Sequence, residues 1–191
     1  MMRFVLVRPG ATDYDLQGRM KGTLDIPLCE KGQEQAKQLA EALAPHKPGV
    51  IYSSTCRAAR ETADILTSVL RVPINHLEGL QNLDHGLWAG ALVKDVKQRQ
   101  PRVYKQWQEH PETVCPPEGE TLGEAQDRVR SELEEIIRQN QTSTAVLVVP
   151  EPLASIVRSE LGLAELGDLW RAECMCGTWE VLEPKGLPVR T

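Results

Sequence analysis

Aromatic side chains are scarce in this 191-residue chain, which holds four Trp, three Tyr and a single Phe. A core must therefore be built mainly from Leu, Val, Ile and Ala. Positive charge is not in excess either. The 22 Lys and Arg against 27 Asp and Glu give a net charge of −5, and a nucleic-acid binder usually needs a basic face. No apolar run reaches the length of a membrane span. Met1–Val7 passes straight into a strand-like run, without the basic and apolar regions of a signal peptide. A cytoplasmic protein, bound to neither membrane nor nucleic acid, is the expectation.

Cysteine is present in an odd number, as Cys29, Cys56, Cys115, Cys174 and Cys176. The spacing of the last two suits neither a zinc site nor a thioredoxin-type pair. Reduced thiols are expected. His46, His76 and His110 have no matched partners and no helical pair spacing, so no metal site is expected. No cofactor is implied.

What remains is ordinary for a globular protein: 41% apolar and 26% charged residues in 21.3 kDa, enough for one domain over residues 1–191. Short apolar runs at Arg3–Val7, Val50–Ser53, Ile74–Leu77, Ala145–Val149 and Gly177–Leu182 read as strands. Helical periodicity separates them. Ala36, Leu39, Ala40 and Leu43 share a face in Gly32–Ala44, and Ala58, Thr62, Ile65, Leu66 and Val69 in Arg57–Leu70. A longer helix over Thr121–Gln139 turns Ala125, Val129, Leu133, Ile136 and Ile137 inward, and Thr121 and Glu124 have capping-box spacing. Pro45–Pro48, Pro111–Pro117 and Pro184–Thr191 read as loops or a frayed end. The alternation predicts a three-layer α/β/α sandwich, a mostly parallel sheet with helices on both faces.

Ligands of such sheets sit beyond the carboxyl ends of the strands. Those positions carry Arg8-Pro9-Gly10-Ala11-Thr12, Ser53-Ser54-Thr55-Cys56-Arg57-Ala58, the segment Leu80–Gly90, and Pro150-Glu151-Pro152. Arginines from two strand ends can converge on one anion, since the guanidinium fork matches phosphate oxygens. Either arginine alone is better read as a partner of a surface carboxylate.

The ordered segments Arg8–Thr12, Arg19–Leu28, Gly32–Ala36, Tyr52–Ala58, Gly86–Gly90, Pro116–Thr121 and Val146–Arg158 resemble the histidine phosphatase, or phosphoglycerate mutase-like, superfamily over nearly the whole chain. The resemblance implies that family's fold and its metal-independent phosphoryl chemistry, run by a nucleophilic histidine in an Arg-His-Gly triplet. A second histidine and two arginines bind the phosphoryl oxygens, and a carboxylate protonates the leaving group. Carried over by position, Arg8 and Arg57 match the arginines. The nucleophile position is Pro9, the acid position is Asn82, and the second histidine position is Glu151.

Each departure removes a capability. Proline nitrogen is a backbone amide with no basic lone pair and no N–H. Asn82 cannot supply a proton to a leaving oxygen, a service worth about 10²–10⁴ in rate. Glu151 puts a carboxylate where phosphate oxygens should sit, and an arginine–carboxylate pair at about 4 Å gains roughly 4 kcal/mol before desolvation. Glu151 is thus expected to pair with Arg8, Arg57 or both, rather than point into solvent. The expected function is a pseudoenzyme binding a small molecule or protein partner, with Arg8, Arg57, Glu151 and Asn82 lining the pocket and no catalytic residue. The alternative is a phosphomonoester hydrolase with displaced chemistry at Arg8 and Arg57, drawing on Asp13, Asp84, His85 or a held water. Asp13 and Asp15 read more simply as caps, His85 as a packing residue, Trp88 and Trp107 as core, and Cys56 as a buried inert thiol. The resemblance also leaves a homodimer open.

Overall fold

The computed structural model describes residues 3–140, 144–166, 169 and 175–183. Five strands form its sheet: β1 (Arg3–Val7), β2 (Val50–Ser54), β3 (Ile74–Leu77), β4 (Thr144–Val148) and β5 (Trp179–Leu182), in the order β3-β2-β4-β1-β5. All pairings are parallel except that of β5, which runs antiparallel along β1. Helices α1 (Asp13–Gln17), α2 (Glu30–Leu43), α3 (Arg57–Leu70), α4 (Val93–Arg99), α5 (Pro101–Glu109), α6 (Leu122–Gln139) and α7 (Leu153–Glu160) connect the strands. Cys174 and Pro184–Thr191 lie outside the described residues. No described helix is long and apolar enough to cross a membrane.

The layers follow from strand alternation, because successive side chains point to opposite faces. Val5, Val7, Ile51, Val146 and Val148 face one side, against Leu39, Ala40 and Leu43 of α2 and Ala59, Ala63 and Leu66 of α3. Phe4, Leu6, Tyr52, Ala145 and Leu147 face the other, against Val129, Leu133 and Ile136 of α6 and Ile156 and Val157 of α7. Trp88 and Trp107 join this second core, with His85 edge-on to Trp107 at 6.1 Å between ring centroids. Phe4, Tyr52, Trp88 and Trp107, with Tyr104 packed against them, thus gather five of the scarce aromatics on this face. The central strands β1 and β4 are almost wholly buried, which explains their continuous apolar runs, while β3 lies at the edge and is half exposed.

One difference from the sequence expectation and one close backbone approach matter for the site. The buried face of α3 is Ala58, Ala59, Thr62, Ala63 and Leu66, and Val69 lies outside it at the surface. The turn after β1 also approaches α2 closely: a Cβ on Gly10 would overlap the carbonyl of Gly32. Glycine is needed there because backbone meets backbone.

Candidate functional site

Adjacent parallel strands β1 and β4 end side by side, which brings Arg8 and Glu151 together although 143 residues separate them. Arg8 Nε donates to Glu151 Oε1 at 2.5 Å, and both side chains are only 4% exposed. A second carboxylate closes the other side of the guanidinium: Arg8 Nη2 donates to Glu180 Oε1 at 2.9 Å from β5. Glu180 in turn lies 3.4 Å from Arg158. The remaining oxygen of Glu151 accepts from the Ser155 backbone N–H at 3.1 Å and hydroxyl at 2.8 Å. Both oxygens of this carboxylate are occupied. Burial works against the Arg8 charge, but the Glu151 carboxylate outweighs it, with help from Glu180, and raises the guanidinium above its ordinary pKa.

The surrounding turn is short of free donors. The Arg8 N–H bonds the Thr178 carbonyl, the Gly10 N–H bonds Thr62 Oγ1, and the Ala11 N–H bonds Gln35 Oε1. Pro9, between them, has no N–H. Lys21, which also borders the pocket, forms an ion pair with Asp15, and Asp15 further caps α1 through Thr12. The space enclosed by Arg8, Pro9, Lys21, Pro150, Glu151 and Cys176 amounts to about 10 Å³. That is at the lower limit for a single water molecule.

Asn82 joins the cluster from behind. Its Nδ2 donates to the Gly22 and Glu151 carbonyls, each at 3.1 Å. Two carbonyl acceptors fix which end of the amide is nitrogen. Arg128 of α6 holds the same segment, binding both oxygens of Glu120 and the carbonyls of Gly79, Gln81 and Asn82.

Arg57 is placed elsewhere. Its side chain is 51% exposed and bonds Glu61 Oε1 at 2.8 Å, one turn along the outer face of α3. Ala58 instead turns inward and lines a neighbouring small cavity beside Lys21, Gly22, Asn82 and Pro150. The expected convergence of two arginines is therefore corrected: α3 begins at Arg57 in a phase that buries residue 58 and turns residue 57 out. Cys56 precedes it and is buried, and desolvation raises its thiol pKa. Glu180, Lys21 and Arg128 escaped the sequence reading. Only Ser155 carried a local signal, lying four residues after Glu151 at helical spacing.

A match to the histidine phosphatase superfamily (branch 1) spans residues 4–186. The chain belongs to this superfamily. It is 31% identical over 183 residues to phosphoserine phosphatase 1 of Hydrogenobacter thermophilus, covering 95% of this chain and 86% of that one. A glucosyl-3-phosphoglycerate phosphatase of Mycolicibacterium vanbaalenii is 32% identical over 137 residues, 72% of this chain and 60% of the other. Among solved structures, a mycobacterial glucosyl-3-phosphoglycerate phosphatase in complex with VO3 superposes with a TM-score of 0.83 at 26% identity, over 95% of this chain and 90% of that one. YhfR of Bacillus stearothermophilus gives 0.84 at 26%, over 96% and 91%. The phosphoglycerate mutase-like α/β fold expected from the sequence is the fold observed.

Proposed function

We propose that this histidine phosphatase superfamily member is a pseudoenzyme, one domain whose phosphoryl pocket is filled by its own Glu151 and which serves to bind a ligand or partner. The observation that carries the reading is the buried Arg8–Glu151 pair at 2.5 Å, beside a space of about 10 Å³. An incoming phosphoryl group would have to displace a carboxylate that already satisfies Arg8 and Ser155. It would meet like charge from Glu151 and Glu180 and find the N–H groups of residues 8, 10 and 11 engaged. Pro9 supplies no nucleophile and Asn82 no proton.

A second reading, a phosphomonoester hydrolase with displaced chemistry at Arg8 and Arg57, is favoured by the phosphatase names of the similar proteins. The outward position of Arg57 weighs against it. The deciding experiment is turnover of p-nitrophenyl phosphate without added metal by the purified protein, beside Arg8→Lys and Arg57→Ala. Equal background in all three is expected. Turnover above background that falls by orders of magnitude in either variant overturns the pseudoenzyme reading.

A further inference from the structure

The carboxylates that close the pocket after β1 to a phosphate dianion do not close it to a neutral molecule of about the size of water. Arg8 commits Nε to Glu151 and Nη2 to Glu180. Its third nitrogen, Nη1, makes no hydrogen bond among the described residues, and it is not sealed from solvent as Asn82 Oδ1 is. The side chain as a whole is only 4% exposed, and the cavity it lines is the space of about 10 Å³ shared with Lys21 and Glu151. A buried guanidinium thus keeps the two N–H groups of Nη1 for whatever enters a space of one water-sized molecule.

The same space is bordered by a thiol. Cys176 lines it, and also lines an outer cavity of about 300 Å³ beside Lys31. Its sulfur therefore stands where small molecules pass from the outer cavity towards Arg8. Arg8 and Lys21 on the inner side and Lys31 on the outer side favour the thiolate, the form that reacts. The other described cysteines lack this setting. Cys56 is buried, and desolvation pushes its thiol up. Cys115 is exposed, but its Sγ faces the Pro116 and Gly119 carbonyls, which favour the protonated thiol. Cys29 lines neither cavity. Glu151 and Glu180 repel an anion, whereas an uncharged oxidant meets no such barrier.

We propose that Cys176 is a site of oxidation by hydrogen peroxide, with Arg8 Nη1 as the hydrogen-bond donor to the reacting oxygens. The Cys176 thiolate attacks one peroxide oxygen, so that an S–O bond forms as the O–O bond breaks. Sulfur loses two electrons and the peroxide gains them. The second oxygen leaves as hydroxide, takes up the proton that the thiol gave up, and departs as water. The product is a sulfenic acid, whose oxygen accepts from Arg8 in the small space and which a thiol reduces again. This inference goes beyond the pseudoenzyme reading and does not depend on whether any phosphoryl chemistry survives.

The test treats the reduced full chain with hydrogen peroxide in the presence of dimedone, which traps sulfenic acids, and follows each labelled cysteine by mass spectrometry. Cys176 should label about tenfold faster than Cys115, the advantage of a hydrogen bond to a developing charge. Cys174→Ser should keep the label and Cys176→Ser should lose it. tert-Butyl hydroperoxide is too large for the small space, and it should slow Cys176 about tenfold more than it slows Cys115. Arg8→Lys keeps the charge without the Nη1 donor and should slow Cys176 about tenfold, while label at the buried Cys56 reports any loss of fold. The comparison of the two peroxides needs no variant. The proposal is overturned if Cys176 labels no faster than Cys115, or if Cys29 or Cys174 carries the label instead. Equal discrimination between the peroxides at both cysteines, or a native rate in a folded Arg8→Lys protein, overturns it as well. Turnover of p-nitrophenyl phosphate by the same preparation bears on the pseudoenzyme reading alone.

Discussion

At the residue scale, the site is governed by how a buried arginine is neutralised. Arg8 sits between Glu151 and Glu180, and removing one partner of a buried pair is far more costly than replacing both. Glu151→Leu is expected to lower stability by about 3 kcal/mol, the low end of the range for an orphaned buried charge, because Glu180 stays in contact. Adding Arg8→Met should recover most of that loss. Urea unfolding of the two single variants and the double variant measures the coupling. Additive losses would mean that the pair is not the stabilising unit described.

At the scale of elements, two junctions hold the site in place. Helix α6, which carries Arg128, starts with a reciprocal capping box: Thr121 Oγ1 accepts from the Glu124 N–H at 3.2 Å, and Glu124 Oε2 accepts from the Thr121 N–H at 2.9 Å. Thr121→Ala should cost about 1 kcal/mol in chemical unfolding. The hydrogen bonds from the Thr121 side chain and backbone hold the Glu124 carboxyl below its ordinary pKa. A lowered folded value contributes stability above the unfolded value and loses it as pH falls through the folded one. Glu124→Ala should therefore lower the melting temperature at neutral pH, and the gap should begin to close only as pH falls below the ordinary glutamate value of 4.5. A gap independent of pH would assign the effect to helix propensity alone. The second junction is the contact of Gly10 with Gly32 of α2, where Gly10→Ala forces the turn after β1 off the helix. A loss of about 1–3 kcal/mol is expected by urea denaturation. No loss would show that the turn moves freely.

At the scale of the whole molecule, what the sequence made legible depended on whether the information was local. Apolar runs located β1 and β4, and the rule of strand carboxyl ends pointed to Arg8 and Glu151, because both follow directly from chain order. The capping box of α6 was readable from the spacing of two residues. The orientation of Arg57 was not. Its helix begins where expected, but which of residues 57 and 58 faces inward depends on how α3 docks on the sheet, and small Ala59 and Ala63 dock where the larger Ile65 and Val69 were expected. Glu180 reaches Arg8 from an edge strand 172 residues away, and only the antiparallel pairing of β5 with β1 puts it there.

In the proposed reading, the Glu151 carboxylate occupies the place of a phosphoryl group. The most direct test is calorimetric titration of the intact protein with inorganic phosphate, beside Glu151→Gln. The native protein should show no saturable binding with Kd below about 1 mM, that is, no affinity beyond about −4.1 kcal/mol, whereas the variant, with one negative charge removed from Arg8, should bind measurably more tightly. Saturable submillimolar phosphate binding by the native protein, unaffected by Glu151→Gln, would contradict the account.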